Sequence, residues 1–306
     1  MHYSVLKKES IENLNIKSDG IYVDGTIGLA GHSSEILKSI PDGFLYGFDQ
    51  DEFAVKTSNE KLSQISNNYK IIRDNFSNMK KALNELGIES VDGILLDLGV
   101  SSPQIDNKER GFSFMQDARL DMRMDNRQKL DAEIVVNEYS YEELKNIFYT
   151  FGEEKFSAVI AKNIVNKRKE KRIETTLELV EIIKISVPVK YYIKSHPERQ
   201  IFQAIRIEVN SELNVLNKVL PDAINLLKKG GRLCVITFHS LEDRIVKKIF
   251  KSYSEVDDMV KGLPIIPDEY KPLIKLVNNK PITASIKELA ENSRSKSAKL
   301  RVVERI

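Results

Sequence analysis

The chain has 306 residues, 41% hydrophobic and 30% charged, with 47 Lys and Arg against 45 Asp and Glu for a net charge of +2. That balance describes a soluble globular protein of one large or two moderate domains and does not by itself demand a polyanionic partner. No run approaches the roughly 18 apolar residues of a membrane span, and residues 1–20 lack a secretory pattern. The single cysteine, Cys234, lies in the apolar run Leu233–Ile236 and reads as core, so no intramolecular disulfide is available and a cytoplasmic location is expected.

The lead-in His2-Tyr3-Ser4-Val5-Leu6 is followed by a short helical pattern over Ser10–Leu14. Next comes the stretch around which the chain is organised. Ile21 and Val23 alternate as a strand does, and the strand opens into Asp24-Gly25-Thr26-Ile27-Gly28-Leu29-Ala30-Gly31-His32. Glycines there permit backbone angles that other residues resist, and Ser33–Ile40 continues as a helix. A second strand over Gly43–Asp49 places Asp49 24 positions beyond Gly25, where such folds hold ribose hydroxyls on a carboxylate. A helix over Glu52–Ser63, a strand over Tyr69–Ile72, a helix over Asn78–Leu86 and a buried strand over Val91–Asp97 follow. Phe76, just after the third strand, offers a flat apolar surface to an adenine ring. Repeated βα units predict a parallel, doubly wound α/β sheet.

The next convincing strand, Gly231–Thr237, lies more than 130 residues on, so a helical segment is inserted. Its boundaries are expected near 113 and 198, leaving 1–112 and 199–306 as the sheet domain. Inside the insert, Ser140-Tyr141-Glu142-Glu143 is a capping box, a helix is expected over Glu153–Arg168, and another from Thr175 or Thr176 to Ile185. Apolar residues from Ile201 to Leu220 mark a further helix, which Pro221 is expected to restart as a second piece ending at Gly230-Gly231. From Phe151 to Arg206, twelve Lys and Arg face seven Glu, a net of +5. The run Lys162, Lys167, Arg168, Lys169, Lys171 and Arg172, with Lys190-Tyr191-Tyr192-Ile193-Lys194 beyond it, suits RNA phosphates and splayed bases. A solvated helix face reads equally well. Phe238-His239-Ser240 and a helix over Leu241–Phe250 come next. Candidate strands at Leu273–Val277 and Lys299–Val303 then close the sheet, with the polar stretch Glu291–Ser297 between them as an expected mobile loop.

Two enzyme classes use such a sheet, dinucleotide oxidoreductases and S-adenosyl-L-methionine (SAM) methyltransferases. A pyrophosphate fingerprint reads G-x-G-x-x-G, whereas glycines here fall at 25, 28 and 31, and Asp24 would repel a pyrophosphate but favour the ammonium of a methionine moiety. At the exit of the fourth strand, Asp97 with Ser101, Ser102 and Pro103 could hold a flat exocyclic amine by its protons, which is the catalytic role assigned to them. A turn stiffened by Ser and Pro is the alternative.

Asp24–Ser33 and Asp92–Gln104, together with Glu109–Met115, Leu120–Asp125, Phe202–Arg206 and Phe238–Arg244, resemble the RsmH (MraW) family, and the likeness covers essentially the whole chain in order. The resemblance implies a class I SAM-methyltransferase fold, a doubly wound, mostly parallel sheet with an inserted all-helical domain. It implies methylation of the 4-amino group of a cytidine in the decoding region of 16S rRNA. By the same resemblance, cofactor contacts fall on Ala30, Gly31, His32, Asp49, Phe76, Asp97 and Gln104, with Ala30 standing where the family usually has glycine. Asp97 as a cofactor contact competes with its amine-binding role. Substrate contacts are expected at Arg110, Phe112, Phe114, Arg123, Lys167, Arg168, Lys169, Arg206 and His239. The implied partner is 16S rRNA in the small ribosomal subunit, with no membrane and no metal ligands assigned, and a homodimer is left open. A nonenzymatic RNA-binding assembly factor and a nicotinamide oxidoreductase are the competing readings.

Overall fold

The computed structural model describes residues 4–256, 258–260 and 262–306, so His2 and Tyr3 of the expected lead-in lie outside the described residues. The chain divides into two compact units, Met1–Gly99 with Leu213–Ile306, and Val100–Glu212.

Among the described residues, the first unit carries seven strands: β1 (Ile21–Asp24), β2 (Phe44–Phe48), β3 (Tyr69–Ile72), β4 (Val91–Asp97), β5 (Leu227–Thr237), β6 (Ile274–Leu276) and β7 (Lys299–Arg305). They form one sheet in the order β3-β2-β1-β4-β5-β7-β6. The first five are parallel, and β7 runs antiparallel between β5 and β6. This is the class I methyltransferase sheet. Strand side chains alternate between faces. Ile94, Leu96, Leu233 and Val235 enter one core, while Leu95, Cys234 and Ile236 enter the other. Helices α1 (Lys7–Leu14), α2 (Gly31–Ser39), α3 (Glu52–Leu62) and α4 (Met79–Glu85) connect and cover the early strands. Two buried faces explain why β4 reads as a continuous apolar run. Cys234 is fully buried and burial pushes its thiol up to about 12, which makes it an inert core residue.

The second unit is helical, with α5 (Ser102–Asp106), α6 (Ala132–Glu138), α7 (Tyr141–Thr150), α8 (Ser157–Glu170), α9 (Thr176–Ser186), α10 (Val189–Ser195) and α11 (Pro197–Asn210). Leu144, Phe148, Ile160, Ile164, Leu179 and Ile183 form its core with Ile201, Phe202, Ile205 and Val209 of α11. The sequence boundaries at 112 and 199 therefore fall inside this unit, because α11 gives its apolar face to the helices. Ser140 and Glu143 form the reciprocal cap of α7, with bonds of 2.7 and 3.3 Å, and Thr175 caps α9.

Three local expectations are corrected. The helix does not restart at Pro221. It breaks at Ser211, whose φ of 50° is left-handed, and α12 (Glu212–Leu226) then runs through Pro221. Proline forfeits its N–H bond there and crowds the carbonyl one turn earlier, and burial of Leu216, Val219, Leu220, Ala223 and Ile224 outweighs that loss. Nor does that helical piece reach Gly230. β5 begins at Leu227, and its pairing with β4 shifts register between Val91 and Gly93, with Gly230 at φ +78°. After α13 (Ser240–Ser254) and α14 (Ile286–Glu291), the stretch expected as a mobile loop forms a 3-10 turn over Ser293–Ser297. Asn292 caps it through the Arg294 N–H at 3.2 Å, and Ser295 is buried. No helix among the described residues is long and apolar enough to cross a membrane.

Candidate active site

Strand order reverses between β1 and β4, and ligands of such sheets bind at the carboxyl ends of the strands beside that point. Asp24 ends β1, Asp49 follows β2, Asp97 ends β4 and His239 follows β5. Register aligns these ends, Asp24 lying opposite Gly47 and Leu95, and Asp97 opposite Ile236.

The glycine loop is braced from within. A side chain at Gly25 would start 2.4 Å from Leu96 Cδ2, so a larger residue there would force the buried Leu96 to shift. Ala30 takes the left-handed conformation at φ 55°, which costs an alanine about 1–2 kcal/mol that a glycine avoids. Its N–H donates to Ile27 O at 2.7 Å and its carbonyl accepts from Ser34 N at 3.0 Å, so the loop holds this shape with alanine in place. Asp24 accepts from Thr26 N at 3.1 Å and from Ser33 Oγ at 2.5 Å, and burial raises its pKa. Its work is to tie the loop to α2. At 1% exposure, with one bond on each oxygen, its carboxylate is held inside the first unit.

Asp49 accepts from Gly28 N on one oxygen, at 3.0 Å, and from Asp51 N on the other, at 2.9 Å. Burial, opposed by those two bonds and reinforced by Asp51 and Asp24, pushes it up to about 6. Phe76 stands beside Gly25, its Cβ 3.4 Å from the position a side chain there would take. His32 lies against Asp97, Nδ1 to Oδ2 at 3.7 Å, and its Nε2 bonds Val5 O at 3.1 Å. Because a carbonyl only accepts, that nitrogen carries the proton, and burial lowers the ring to about 4, so His32 is neutral. Asp97 N–H donates to Thr26 Oγ1 at 2.7 Å, while its carboxyl Oδ1 is buried without a hydrogen-bond partner. Burial, with Asp24 and Glu242 nearby, raises the Asp97 pKa well above the usual carboxylate range. An orphaned buried acceptor at this edge is the signature of a group waiting for a donor.

Beyond β5, Glu242 accepts from Phe238 N at 2.8 Å and from His239 N at 3.3 Å, and its other oxygen lies 3.2 Å from His239 Nε2. The first unit thus brings together Ala30, Gly31, His32, Asp49, Phe76, Asp97 and His239. Thr26, Ser33 and Glu242 were missed. Only Glu242 left a signal, an acid three residues after the position that precedes a helix.

In the second unit, Ser101, Ser102, Pro103 and Gln104 form the start of α5. Gln104 Oε1 turns back to accept from Ser101 N at 2.9 Å, which is the work of a helix cap. Arg110 donates to Arg123 O at 2.9 Å, and Arg123 grips Asp121 at 2.7 and 2.8 Å and Gln128 O at 3.0 Å. Arg206 pairs with Glu212 at 2.8 and 2.9 Å. These three guanidinium groups brace the unit internally. Phe112 and Phe114 are half-buried against its core, Phe114 edge-on to Phe202 at 5.7 Å. Arg168 donates to Val136 O at 2.8 Å, whereas Lys167 and Lys169 are exposed, Lys167 pairing with Glu170 at 3.2 Å.

Comparison with known proteins follows the same lines. The family model described as the MraW methylase family matches residues 1–306. A protein of Exiguobacterium sibiricum named ribosomal RNA small subunit methyltransferase H is 54% identical over 306 residues, covering 100% of this chain and 98% of that protein. Its namesake in Lactobacillus delbrueckii subsp. bulgaricus is 51% identical over 311 residues, covering 100% and 99%. Among solved structures, an rRNA methylase from Streptococcus thermophilus superposes with a TM-score of 0.42 at 12% identity, over 98% of this chain and 93% of that one. Matched along its full length by the family model and more than half identical to those relatives, the chain belongs to the MraW methylase family, enzymes that draw their methyl group from SAM.

Proposed function

We propose that this enzyme methylates the exocyclic 4-amino group of a cytidine in the decoding region of small-subunit (16S) ribosomal RNA, acting in the cytoplasm on the small ribosomal subunit. The named relatives support the RNA class. The observation that carries the choice of an amine is Asp97, whose buried Oδ1 lacks a donor. The residues fit the cofactor, which supplies an electrophilic methyl on a positively charged sulfur. Asp49 has lone pairs left over from its two backbone bonds and would accept the ribose hydroxyls. Phe76 would cover the adenine. His32, kept neutral, adds no positive charge beside a sulfonium.

Two groups can supply the missing donor at Asp97, the cofactor's ammonium or an amine proton of the base. The amine use is the chemically productive one, because an acceptor on an amine proton raises electron density on that nitrogen as it attacks. The exposed Lys167 and Lys169 of α8 supply phosphate contacts, and the half-buried Phe112 and Phe114 supply stacking surface. The test is methyl-labelled SAM with small subunits from cells lacking the modification, followed by nucleoside analysis. Label in N4-methylcytidine is expected. Label in any other nucleoside, or binding of the subunit without transfer, refutes the reading.

A further inference from the structure

Methylation at an amine nitrogen leaves a proton to be removed, and the sheet edge holds a group placed to take it. We propose that His239 is the proton acceptor for the target amine and that Glu242 is the residue that positions it. The inference rests on the 4-amino reading above.

The first observation is burial without satisfaction. His239 is 10% exposed; its side chain faces the Glu242 backbone N–H in a capping box, yet neither ring nitrogen closes a hydrogen bond of ordinary geometry. Buried polar atoms in folded proteins are nearly always paired, and leaving one unmade costs about 1–3 kcal/mol, so a purely structural histidine would be expected to satisfy at least one nitrogen. The second is the carboxylate beside it. Glu242 is 3% exposed, and one of its oxygens is fastened to the backbone N–H groups of Phe238 and His239 at 2.8 and 3.3 Å. Its other oxygen, 3.2 Å from Nε2 without closing a hydrogen bond, is therefore fixed to the same turn that carries the ring. Such bonds are often loose before substrate binds and tighten with it. The third is place. Ile236 pairs with Asp97, Leu98 N–H donates to Ile236 O at 3.0 Å, and the Phe238 ring lies 3.4 Å from where a side chain on Gly99 would begin. His239 thus shares the strand ends with the unpaired oxygen of Asp97.

The other histidine at this edge is the instructive contrast. His32 gives its Nε2 proton to a backbone carbonyl and is lowered to about 4 by burial, so it is a poor base with its tautomer already fixed. His239 has a carboxylate, 3.2 Å from Nε2, where His32 has a carbonyl, so its tautomer is not fixed by a backbone acceptor.

The chemistry balances with these groups alone. The amine nitrogen forms a bond to the methyl carbon as the carbon–sulfur bond breaks, its electron pair remaining on sulfur. The nitrogen then carries two protons, a methyl and a positive charge. The free ring nitrogen of His239 takes one proton, the N–H pair returns to the conjugated amine, and Asp97 retains the other proton as a hydrogen bond. The imidazolium rests beside Glu242 and passes its proton to water when product leaves. One proton is released per methyl.

The test uses the full chain, saturating SAM and small subunits, in single turnovers. His239→Gln should lower the rate roughly 10²–10⁴-fold, the usual worth of a general base, with SAM affinity by calorimetry kept within about threefold. Imidazole in the buffer should restore rate to His239→Gly. Glu242→Gln leaves the histidine in place and should lower kcat about tenfold at unchanged KM for the subunit. In that variant, ring nitrogen NMR of the substrate-free protein should show a His239 tautomer distribution changed from the parent's. A His239→Gln rate within about threefold of the parent overturns the proposal, as does failure of imidazole to rescue His239→Gly with SAM affinity intact. Should the His239 variants fail to fold, an unchanged kcat in Glu242→Gln with an unchanged tautomer overturns it. The parent's nucleoside digest separates the two levels. Methyl on an atom other than the 4-amino nitrogen sinks the reading and the proposal together, whereas N4-methylcytidine with undiminished variants sinks the proposal alone.

Discussion

Replacing Asp49 with asparagine should move cofactor affinity and stability in opposite directions. The carboxylate is raised from 3.8 to about 6, chiefly by burial. A group whose folded pKa lies above its unfolded value contributes stability at low pH and loses it as pH rises through the folded value. At pH 7 the ionised folded state is therefore penalised by about 3 kcal/mol. Asparagine removes that penalty but cannot accept from both Gly28 N and Asp51 N through its one oxygen, and the lost bond costs about 1 kcal/mol. The SAM-free protein should gain about 2 kcal/mol in denaturant unfolding at pH 7. Cofactor binding loses at least one charge-assisted bond to a ribose hydroxyl, about 1.5–3 kcal/mol, which is roughly 10- to 150-fold in Kd by calorimetry. Unchanged SAM affinity refutes the ribose assignment, and a less stable variant refutes the electrostatic argument.

The same group sets a pH dependence. If the cofactor binds ionised Asp49, its affinity should climb by up to about tenfold per pH unit from 5 to 6 and level off near 7, and a flat titration would contradict this. In the basic run, Lys167→Gln with Lys169→Gln should weaken binding to the subunit, leave SAM affinity and melting unchanged, and reduce the salt slope by roughly 0.7 for each phosphate no longer neutralised. Unaltered rRNA methylation and salt slope would remove these lysines from that role. Arg168→Gln should instead lower stability by about 1–2 kcal/mol through the orphaned Val136 carbonyl, readable by thermal unfolding. Gly111→Ala should destabilise the helical unit by about 3 kcal/mol or more, since its side chain would begin 2.3 Å from Arg119 O at a φ of +67°; a melting temperature unchanged by the alanine would contradict the geometry.

Legibility followed the range of the interactions involved. β3 and β4 were readable to the residue because their signals, apolar runs bounded by polar turns, are local. Ser140 and Thr175 announced their helices through capping, which also acts within four residues. α5 and α10 escaped notice, since five to seven residues sum too little propensity to register and are held by tertiary packing. The break at Ser211 left no trace because nothing in a serine advertises a positive φ. At the site, Asp49 and Asp97 stood out as acids at strand ends. Thr26, Ser33 and Glu242 act only on partners that strand pairing brings near, so their roles waited for the fold. Charge counting could not distinguish the bound guanidinium groups of Arg110, Arg123 and Arg206 from exposed ones, because ion pairing inside a unit leaves net charge unaltered.

The neighbouring strands β4 and β5 are separated in the chain by a whole helical unit, and this orders events during synthesis. When β4 emerges from the ribosome, one edge can pair with β1 while the other must wait about 130 residues for β5, roughly 7–26 s at 5–20 residues per second. Throughout that interval an apolar, fully formed strand edge is open to pairing with another chain. The intervening helices have their own core and local contacts, so they can fold during the wait. Nascent chains stalled after β4 has emerged and before β5 has cleared the exit tunnel should therefore be the ones most prone to aggregate, and chaperone demand should fall after that point.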